Sequence, residues 1–455
     1  MGSFKSPFKP FGVFVFMTGL LVSHYFCLNK SARSNLASRC LLLNLTYRLP
    51  KEAALDRLIG FRMLSRFVRM IFKNPLPFLQ QDKALIYDSR RAAKEARMAY
   101  VNWQAGCQAD FIAREQLVFI PASFYGLMLV ISLFLFLPIY LVSTIFFKQR
   151  ANIALLLLEC VENSNLLMLC AKYGVKRLYF FSPFEKDANA SAMLLMRQGV
   201  YVSKHPSPGP LVTHNSAIIA NELVLSSQYQ VEEFDHFKGL MFVEKLDKWY
   251  PENSKSYIER YIDNSNTPPP NKLGYYSSAS WLRKKSGHAN NGHHTLESEQ
   301  IVLRCLKELL IGNASLTLII FMHPRERKPD IIDEAKKYYA SFLQGVSYSF
   351  VDNDVKTSNA FDLVDIALAA YSTTIYERLF CGFKTLAFYA GLRPFPLAGS
   401  PMQNVIIKDQ ACLSKRVLDT LKQSTEQFFE SNSLQGYRYF EYDNYFKRPL
   451  SSANN

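Results

Sequence analysis

The stretch DIALAAYSTTIYERLF (365–380) decides the fold. Its first half is an apolar run of strand length, its second half has helical spacing, and the join is a cluster of hydroxyls, Tyr371-Ser372-Thr373-Thr374. A short buried strand that feeds straight into a helix is half of a βαβ unit, and such units build parallel sheets. Thr374-x-x-Glu377 has the form of a capping box, which predicts that the helix starts there.

The alternation continues on both sides. Downstream come the strand TLAFY and a helix predicted over 413–430. Upstream come LGYYSSAS, a helix from about 296 to 310, the strand SLTLIIFMH (315–323), a helix near 330–343 and the run VSYSFV. NSNTPPPNK (264–272) carries three consecutive prolines and reads as a linker. Before it lie a helix through NLLMLCAKYG, the strand VKRLYFF (175–181), a helix through ANASAMLLMRQ, then VYVS, ELVLSS and YQVEEFDHF. The prediction is an α/β chain of two Rossmann-like, doubly wound domains, 151–263 and 273–435, joined by 264–272, with a tail over 436–455.

Residues 1–150 are different. They hold 20 Lys/Arg against 7 Asp/Glu, while the rest of the chain holds 33 against 31, so almost all of the net charge of +15 sits in the first third. The run 117–147, LVFIPASFYGLMLVISLFLFLPIYLVSTIFF, has no charge and exceeds the roughly 20 residues of a membrane span. Both flanks are basic (Arg114; Lys148 and Arg150), which favours a hairpin that re-enters the membrane, broken near Pro138 or Gly126, over a single crossing. A second apolar stretch, 11–27, follows Lys5 and Lys9, and RLIGFRMLSRFVRMIF (57–72) has the spacing of a basic amphipathic helix. A helical, membrane-associated region on the cytoplasmic face of the inner membrane is expected, with anionic lipid rather than nucleic acid as the partner of the charge.

The eight cysteines are scattered with no Cys-x-x-Cys pair, which signals neither a zinc site nor a disulfide framework. SGHANNGHH (286–294) has three histidines but no metal-ligand spacing, so no metal and no cofactor are expected.

In a parallel sheet the ligand sits beyond the carboxyl ends of the strands. Three places qualify. Gly274-Tyr-Tyr-Ser277-Ser278-Ala-Ser280 joins a glycine to clustered hydroxyls, a composition that suits phosphate oxygens. His323-Pro324-Arg325 closes a strand with an imidazole and a guanidinium, and the proline turns the chain out of the sheet. Ser372, Thr373, Thr374 and Glu377 form the third, where helix capping and anion binding can coexist.

An HP dipeptide after a buried strand, a Ser/Thr-rich strand end about 50 residues on, a glutamate in the next helix and then Gly382-Phe383-Lys384 together resemble the C-terminal half of GT-B glycosyltransferases with HP and S/T motifs. These are the bacterial sialyltransferases and polysialyltransferases and, more distantly, capsular Kdo transferases and teichoic-acid polymerases. The resemblance covers roughly 273–400. It implies a nucleotide-sugar donor, CMP-linked by preference, held by His323 and by Ser372, Thr373 and Thr374, with Glu377 on the ribose. It also implies a surface-glycan or lipid-linked acceptor.

Those sialyltransferases carry an acidic Asp/Glu-Asp/Glu-Gly motif in the first domain as the base, and this chain lacks it; Glu232-Glu233-Phe has no glycine. His214, Asp187 and Glu185 are the open alternatives. The competing functions are a CDP-alcohol phosphotransferase, a sugar-nucleotide epimerase, against which the apolar run counts, and a non-catalytic scaffold.

Overall fold

The computed structural model describes residues 9–26, 84–88, 116–146, 150–181, 186–206, 218–225, 227–236, 241–248, 268–285, 296–370, 374–389 and 399–439, with shorter pieces between 79 and 113, at 260–261 and at 372. The first half of the chain forms α1 (Lys9–Phe26), β1 (Ala84–Asp88), β2 (Asp110–Ala113), α2 (Phe124–Phe146), α3 (Arg150–Tyr173), β3 (Arg177–Phe180), α4 (Lys186–Met196), β4 (Tyr201–Lys204), β5 (Ile218–Leu225), α5 (Gln228–His236) and β6 (Met241–Lys248). The second half forms β7 (Lys272–Tyr276), α6 (Ser280–Lys285), α7 (Leu296–Gly312), β8 (Thr317–Phe321), α8 (Ile332–Leu343), β9 (Tyr348–Phe350), β10 (Ile366–Ala369), α9 (Thr374–Phe380), β11 (Thr385–Phe388), β12 (Ile406–Ile407), α10 (Gln410–Leu421) and α11 (Thr425–Ser431).

Two six-stranded sheets result, ordered β2-β1-β3-β4-β5-β6 and β12-β11-β10-β7-β8-β9. Neighbouring strands pair in parallel throughout, from β1 beside β2 to β11 beside β12. Counted from its own first strand, the second sheet runs 6-5-4-1-2-3, the doubly wound order of dinucleotide-binding domains. Its strands are apolar on both faces because helices cover both: Leu273 and Tyr275 of β7, Leu318 and Ile320 of β8 and all of β10 are buried. α7 adds Val302, Leu303, Leu306, Leu309 and Leu310, the three-to-four spacing of a helix with one buried face.

Three expectations are corrected. The basic segment expected to be helical contributes β1 and β2 to the first sheet, and β1, with Leu85 and Ile86 fully buried, lies between the edge strand β2 and β3. A strand buried on both faces shows no period-two pattern, and ALIYD blends into the helical spacing around it. The first sheet therefore begins well before residue 151.

The second correction is at 117–147, whose described residues, 117–146, contain no hairpin turn. α2 is one helix that passes through Pro138. Gly126 lies in its first turn, where a Cβ would meet the Pro121 carbonyl oxygen at 1.7 Å, so this glycine permits a close approach rather than a reversal. Residues 117–119 precede the helix and are pinned by Asn165 of α3, whose Nδ2 donates to the Leu117 and Phe119 carbonyls at 2.6 and 2.7 Å. Side chains of α2 are described to Ile139, and among the described residues no helix is long and apolar enough to cross a membrane.

The third is the helix expected over 413–430, which is two helices. Ser424 and Gln427 make a capping box in which each side chain bonds the other residue's main-chain N–H, and this starts α11 afresh.

α1 and α2 pack beside α3 on one face of the first sheet: Val13, Phe14 and Met17 of α1, Leu129 and Leu133 of α2, and Leu157 and Val161 of α3 share a cluster with Leu85, Leu178 and Val202. The opposite sides of the two outer helices are apolar as well. Phe11 and Val15, and Phe124, Leu127, Ile131, Phe134, Leu135 and Ile139, are all exposed.

Candidate functional site

In the second sheet the chain runs from β7 outward through β8 and β9, then returns to add β10 on the other side of β7. The turns after β7 and β10 therefore diverge from adjacent strands, which opens a crevice at the switch point. The turn after β8 flanks it. The three places singled out in the sequence thus lie on three neighbouring strands, β10, β7 and β8, at one edge of one sheet.

The serine turn is fixed from within. Ser277 N–H continues the ladder to the Phe321 carbonyl at 3.0 Å, and Tyr276 stacks on Phe321 with ring centres 4.2 Å apart. Ser277 Oγ accepts from Ala279 N–H at 2.9 Å, Ser278 Oγ lies 2.8 Å from Ser280 Oγ, and Arg283 Nε donates to the Ser278 carbonyl at 3.1 Å. Ala279 takes a left-handed φ of 54°, a strained setting that these bonds hold in place. The hydroxyls of Ser277 and Ser278 are buried and shape the turn. Gly274 is not in the turn: it lies inside β7, where a Cβ would come within 2.8 Å of Val364 Cγ2 and 3.2 Å of Phe321 Cε2, so it is a packing glycine.

His323 ends the β8 side. Its Nδ1 accepts from Arg325 N–H at 3.1 Å, which leaves the ring proton on Nε2. Burial and the guanidinium groups of Arg283, Arg325 and Arg327 hold its pKa down to about 4, so near neutral pH the ring is an uncharged Nε2–H donor. Arg325 is exposed at the lip, while Arg327 is tied to the carbonyls of Met322, Val355 and Asn353.

At the third place α9 begins at Thr374, so Thr374 is the first helical residue rather than the cap of a box with Glu377. The cap contact comes from Ser372, whose Oγ accepts from Thr374 N–H at 3.2 Å. Glu377 is half-buried in the first turn, and Thr373 lies outside the described residues. Lys384, the last residue of the Gly-x-Lys step, is buried against Asp365 at 2.8 Å and donates to the Thr420 and Gln423 carbonyls, a structural tie.

Beneath the serine turn lie two buried carboxylates that the sequence did not single out. Glu299 of α7 accepts from Ser278 Oγ (3.1 Å), Ser280 N–H (3.4 Å) and Tyr338 O–H (3.3 Å). Glu326 accepts from His323 N–H (2.8 Å), Trp281 Nε1–H (2.5 Å) and Tyr339 O–H (3.0 Å). Burial first, and then the neighbouring Glu326, push the Glu299 pKa up to about 7. Between pH 4.5 and about 7 the unfolded chain has lost this proton while the folded chain keeps it, so stability falls as pH rises through that window. Glu299→Gln should flatten the slope, read as urea midpoints at about pH 5 and about pH 8. An unchanged slope would mean that the carboxyl titrates normally.

Of the expected bases, His214 and Glu185 lie outside the described residues, and Asp187 is on α4 with its side chain outside them. The described part of the first domain offers a different cluster. Ser203 Oγ donates to Glu222 Oε2 at 2.7 Å and lies 2.9 Å from His205 Nε2. Burial and Arg177 push His205 down to about 3, too weak a base to hold a proton from an acceptor, so this group ties β4 to β5. Glu232 of α5 meets the second domain, accepting from Tyr437 O–H at 2.5 Å and Ser400 Oγ at 3.3 Å, and Tyr229 stacks on Tyr376 of α9. Among the described residues no group of His, Cys, Asp and Glu could hold a metal ion. The 286–294 histidine stretch lies outside them.

No family model matches the chain, and no curated protein matches it in sequence. Among solved structures it is similar to a mutant O-GlcNAc transferase of Thermobaculum terrenum, with 12% identity, a TM-score of 0.36 and coverage of 98% of this chain and 82% of that one. A UDP-GlcNAc 2-epimerase of Neisseria meningitidis bound to UDP-GlcNAc gives 9%, 0.45, 79% and 95%, and MurG of Acinetobacter baumannii gives 10%, 0.43, 78% and 96%. Likeness at this level carries no argument, and the fold rests on the chain's own strand order and register.

Proposed function

We propose that the chain is a GT-B glycosyltransferase that moves a sugar from a nucleotide donor to a surface-glycan or lipid-linked acceptor. The observation that carries this reading is the β7/β10 switch point, flanked by the serine turn and by the His323 loop, in a sheet wound in dinucleotide-binding order. The His323 Nε2–H and the nearby arginines suit the departing nucleotide phosphate. Negative charge grows there as the glycosidic bond breaks, and a fixed donor stabilises it without reorganising. Ser372, Thr374 and Glu377 complete the donor side, and a first-domain base takes the acceptor's proton. The HP and S/T resemblance favours a CMP-linked acidic sugar.

A thermal-shift screen of the full chain against CMP, CDP, UDP and GDP tests this. A ligand at 100 times its Kd adds about 2.7 kcal/mol, or roughly 5–10 °C for a domain of this size. A shift with CMP supports the donor named, a shift with CDP alone favours the CDP-alcohol phosphotransferase, a shift with UDP or GDP alone moves the donor base, and no shift with any of them removes the reading.

The same reading places the chain at the bilayer surface on the cytoplasmic side. The outward apolar faces of α1 and α2 and the basic charge of residues 1–150 support it, since apolar contact and anionic lipid attraction act together in surface helices. The purified chain should float with vesicles containing phosphatidylglycerol, and failure to float in low salt would leave those faces to another partner.

A further inference from the structure

His323 closes a turn that is held three times over. Glu326 N–H donates to the His323 carbonyl at 2.8 Å, His323 N–H donates back to Glu326 Oε2 at 2.8 Å, and Arg325 N–H donates to the imidazole Nδ1 at 3.1 Å. The other oxygen of Glu326 reaches across to the serine turn: Oε1 accepts from Nε1–H of Trp281, the residue after Ser280, and from Tyr339 O–H of α8. One carboxylate therefore joins the two turns that flank the crevice.

Two of its partners, a main-chain N–H and an indole N–H, can only donate, so each oxygen of Glu326 must accept at least one bond. Burial pushes the pKa of this carboxyl up, and the hydrogen bonds it accepts oppose that rise.

We propose that Glu326, as the acceptor shared by both turns, is the positioning residue for phosphate recognition, setting where His323 Nε2–H stands relative to the serine turn. This rests on the reading of the crevice as the nucleotide site. Glutamine at 326 has the right size and the wrong pattern. Whichever way its amide turns, an N–H faces either the His323 N–H or the Trp281 Nε1–H, and the turn must shift.

The test compares the wild-type full chain with Glu326→Gln. Calorimetric titration gives the affinity for whichever of CMP, CDP, UDP and GDP binds wild type best, and for the matching nucleoside without phosphate. The variant should lose about tenfold of the phosphate-dependent part, the ratio of nucleotide to nucleoside affinity, as expected for one misplaced hydrogen bond to a charged group. Nitrogen-15 NMR of the histidines, with His323→Ala as the assignment control, should show a single Nε2–H tautomer at 323 in wild type and a mixture in Glu326→Gln. A merely structural role would move neither readout in a variant that stays folded.

If Glu326→Gln does not fold, Trp281→Phe removes one donor to the same carboxylate and should lower the same ratio by about threefold. Failure of wild type to bind any of the four nucleotides overturns the site reading and the proposal with it. Nucleotide binding with an unchanged ratio in the variants overturns the role of Glu326 alone, and so does a single tautomer that persists in Glu326→Gln.

Discussion

Replacing His323 by alanine should leave a folded protein that uses its donor badly. The imidazole stands at the sheet edge, half-buried, and the one bond it accepts, from Arg325 N–H, lies in an exposed turn where water can replace it. The cost to stability should therefore stay within about 1 kcal/mol. The cost to function is larger. An N–H bond to an ionised phosphate contributes about 1.5–3 kcal/mol, which is roughly tenfold to more than a hundredfold in kcat/KM. Because the free imidazole has a pKa near 4, the ring stays neutral across the working range, and donor use should show no fall near pH 6.5 from this group. Steady-state kinetics over donor concentration and pH check both points. A folded His323→Ala chain with wild-type kcat and donor KM would move the nucleotide site elsewhere.

The largest loss of stability should come from Arg378→Met. This guanidinium is fully buried in α9, yet it serves the strand ends rather than a ligand. It donates to the carbonyls of Lys384 (2.6 Å), Val364 (2.6 Å), Phe361 (3.2 Å) and Asp365 (3.3 Å) and to Thr385 Oγ1 (3.1 Å). Methionine fits the space but leaves several buried acceptors unpaired, each costing about 1–3 kcal/mol before water or rearrangement compensates. A net loss of about 3–5 kcal/mol is expected, seen as a Tm lower by roughly 6–20 °C. Since α9 starts at the hydroxyl-rich turn, nucleotide binding should weaken along with the fold. A Tm within about 2 °C of wild type would mean that those carbonyls find other donors.

The strands of the second sheet were within reach of the sequence because they are short apolar runs bounded by clear turn residues, as at Ser372 and Pro324. β1 and β2 were hidden by the basic segment around them, and β12, only Ile406–Ile407, has no pattern of its own. The outline of the candidate site was legible where a residue's type is unusual for its place, as with a histidine and proline ending an apolar strand. Its buried side was illegible, because there a residue's setting depends on the fold. Glu326 sits in Pro-Arg-Glu-Arg-Lys, which reads as a solvated charged turn, and Glu299 sits in Leu-Glu-Ser-Glu-Gln, which reads as the polar start of a helix. Both are fully buried, and only the fold shows the donors that make this tolerable. Gly274 misled in the opposite way: a glycine near hydroxyls suggested phosphate, while its neighbours across the sheet required the missing side chain.

The seat of α1 has a consequence for how the chain is made. Its inner face packs on α3, which begins at Arg150, so α1 leaves the ribosome well over a hundred residues before the surface that receives it exists. At ordinary synthesis rates that interval is on the order of ten seconds, long compared with hydrophobic collapse. During it Val13, Phe14 and Met17 need a temporary host, and so do the outward Phe11 and Val15. A nascent chain in this state is a substrate for a holdase or for the membrane itself, and the yield of folded protein should depend on translation speed across residues 27–150 more than on any later segment.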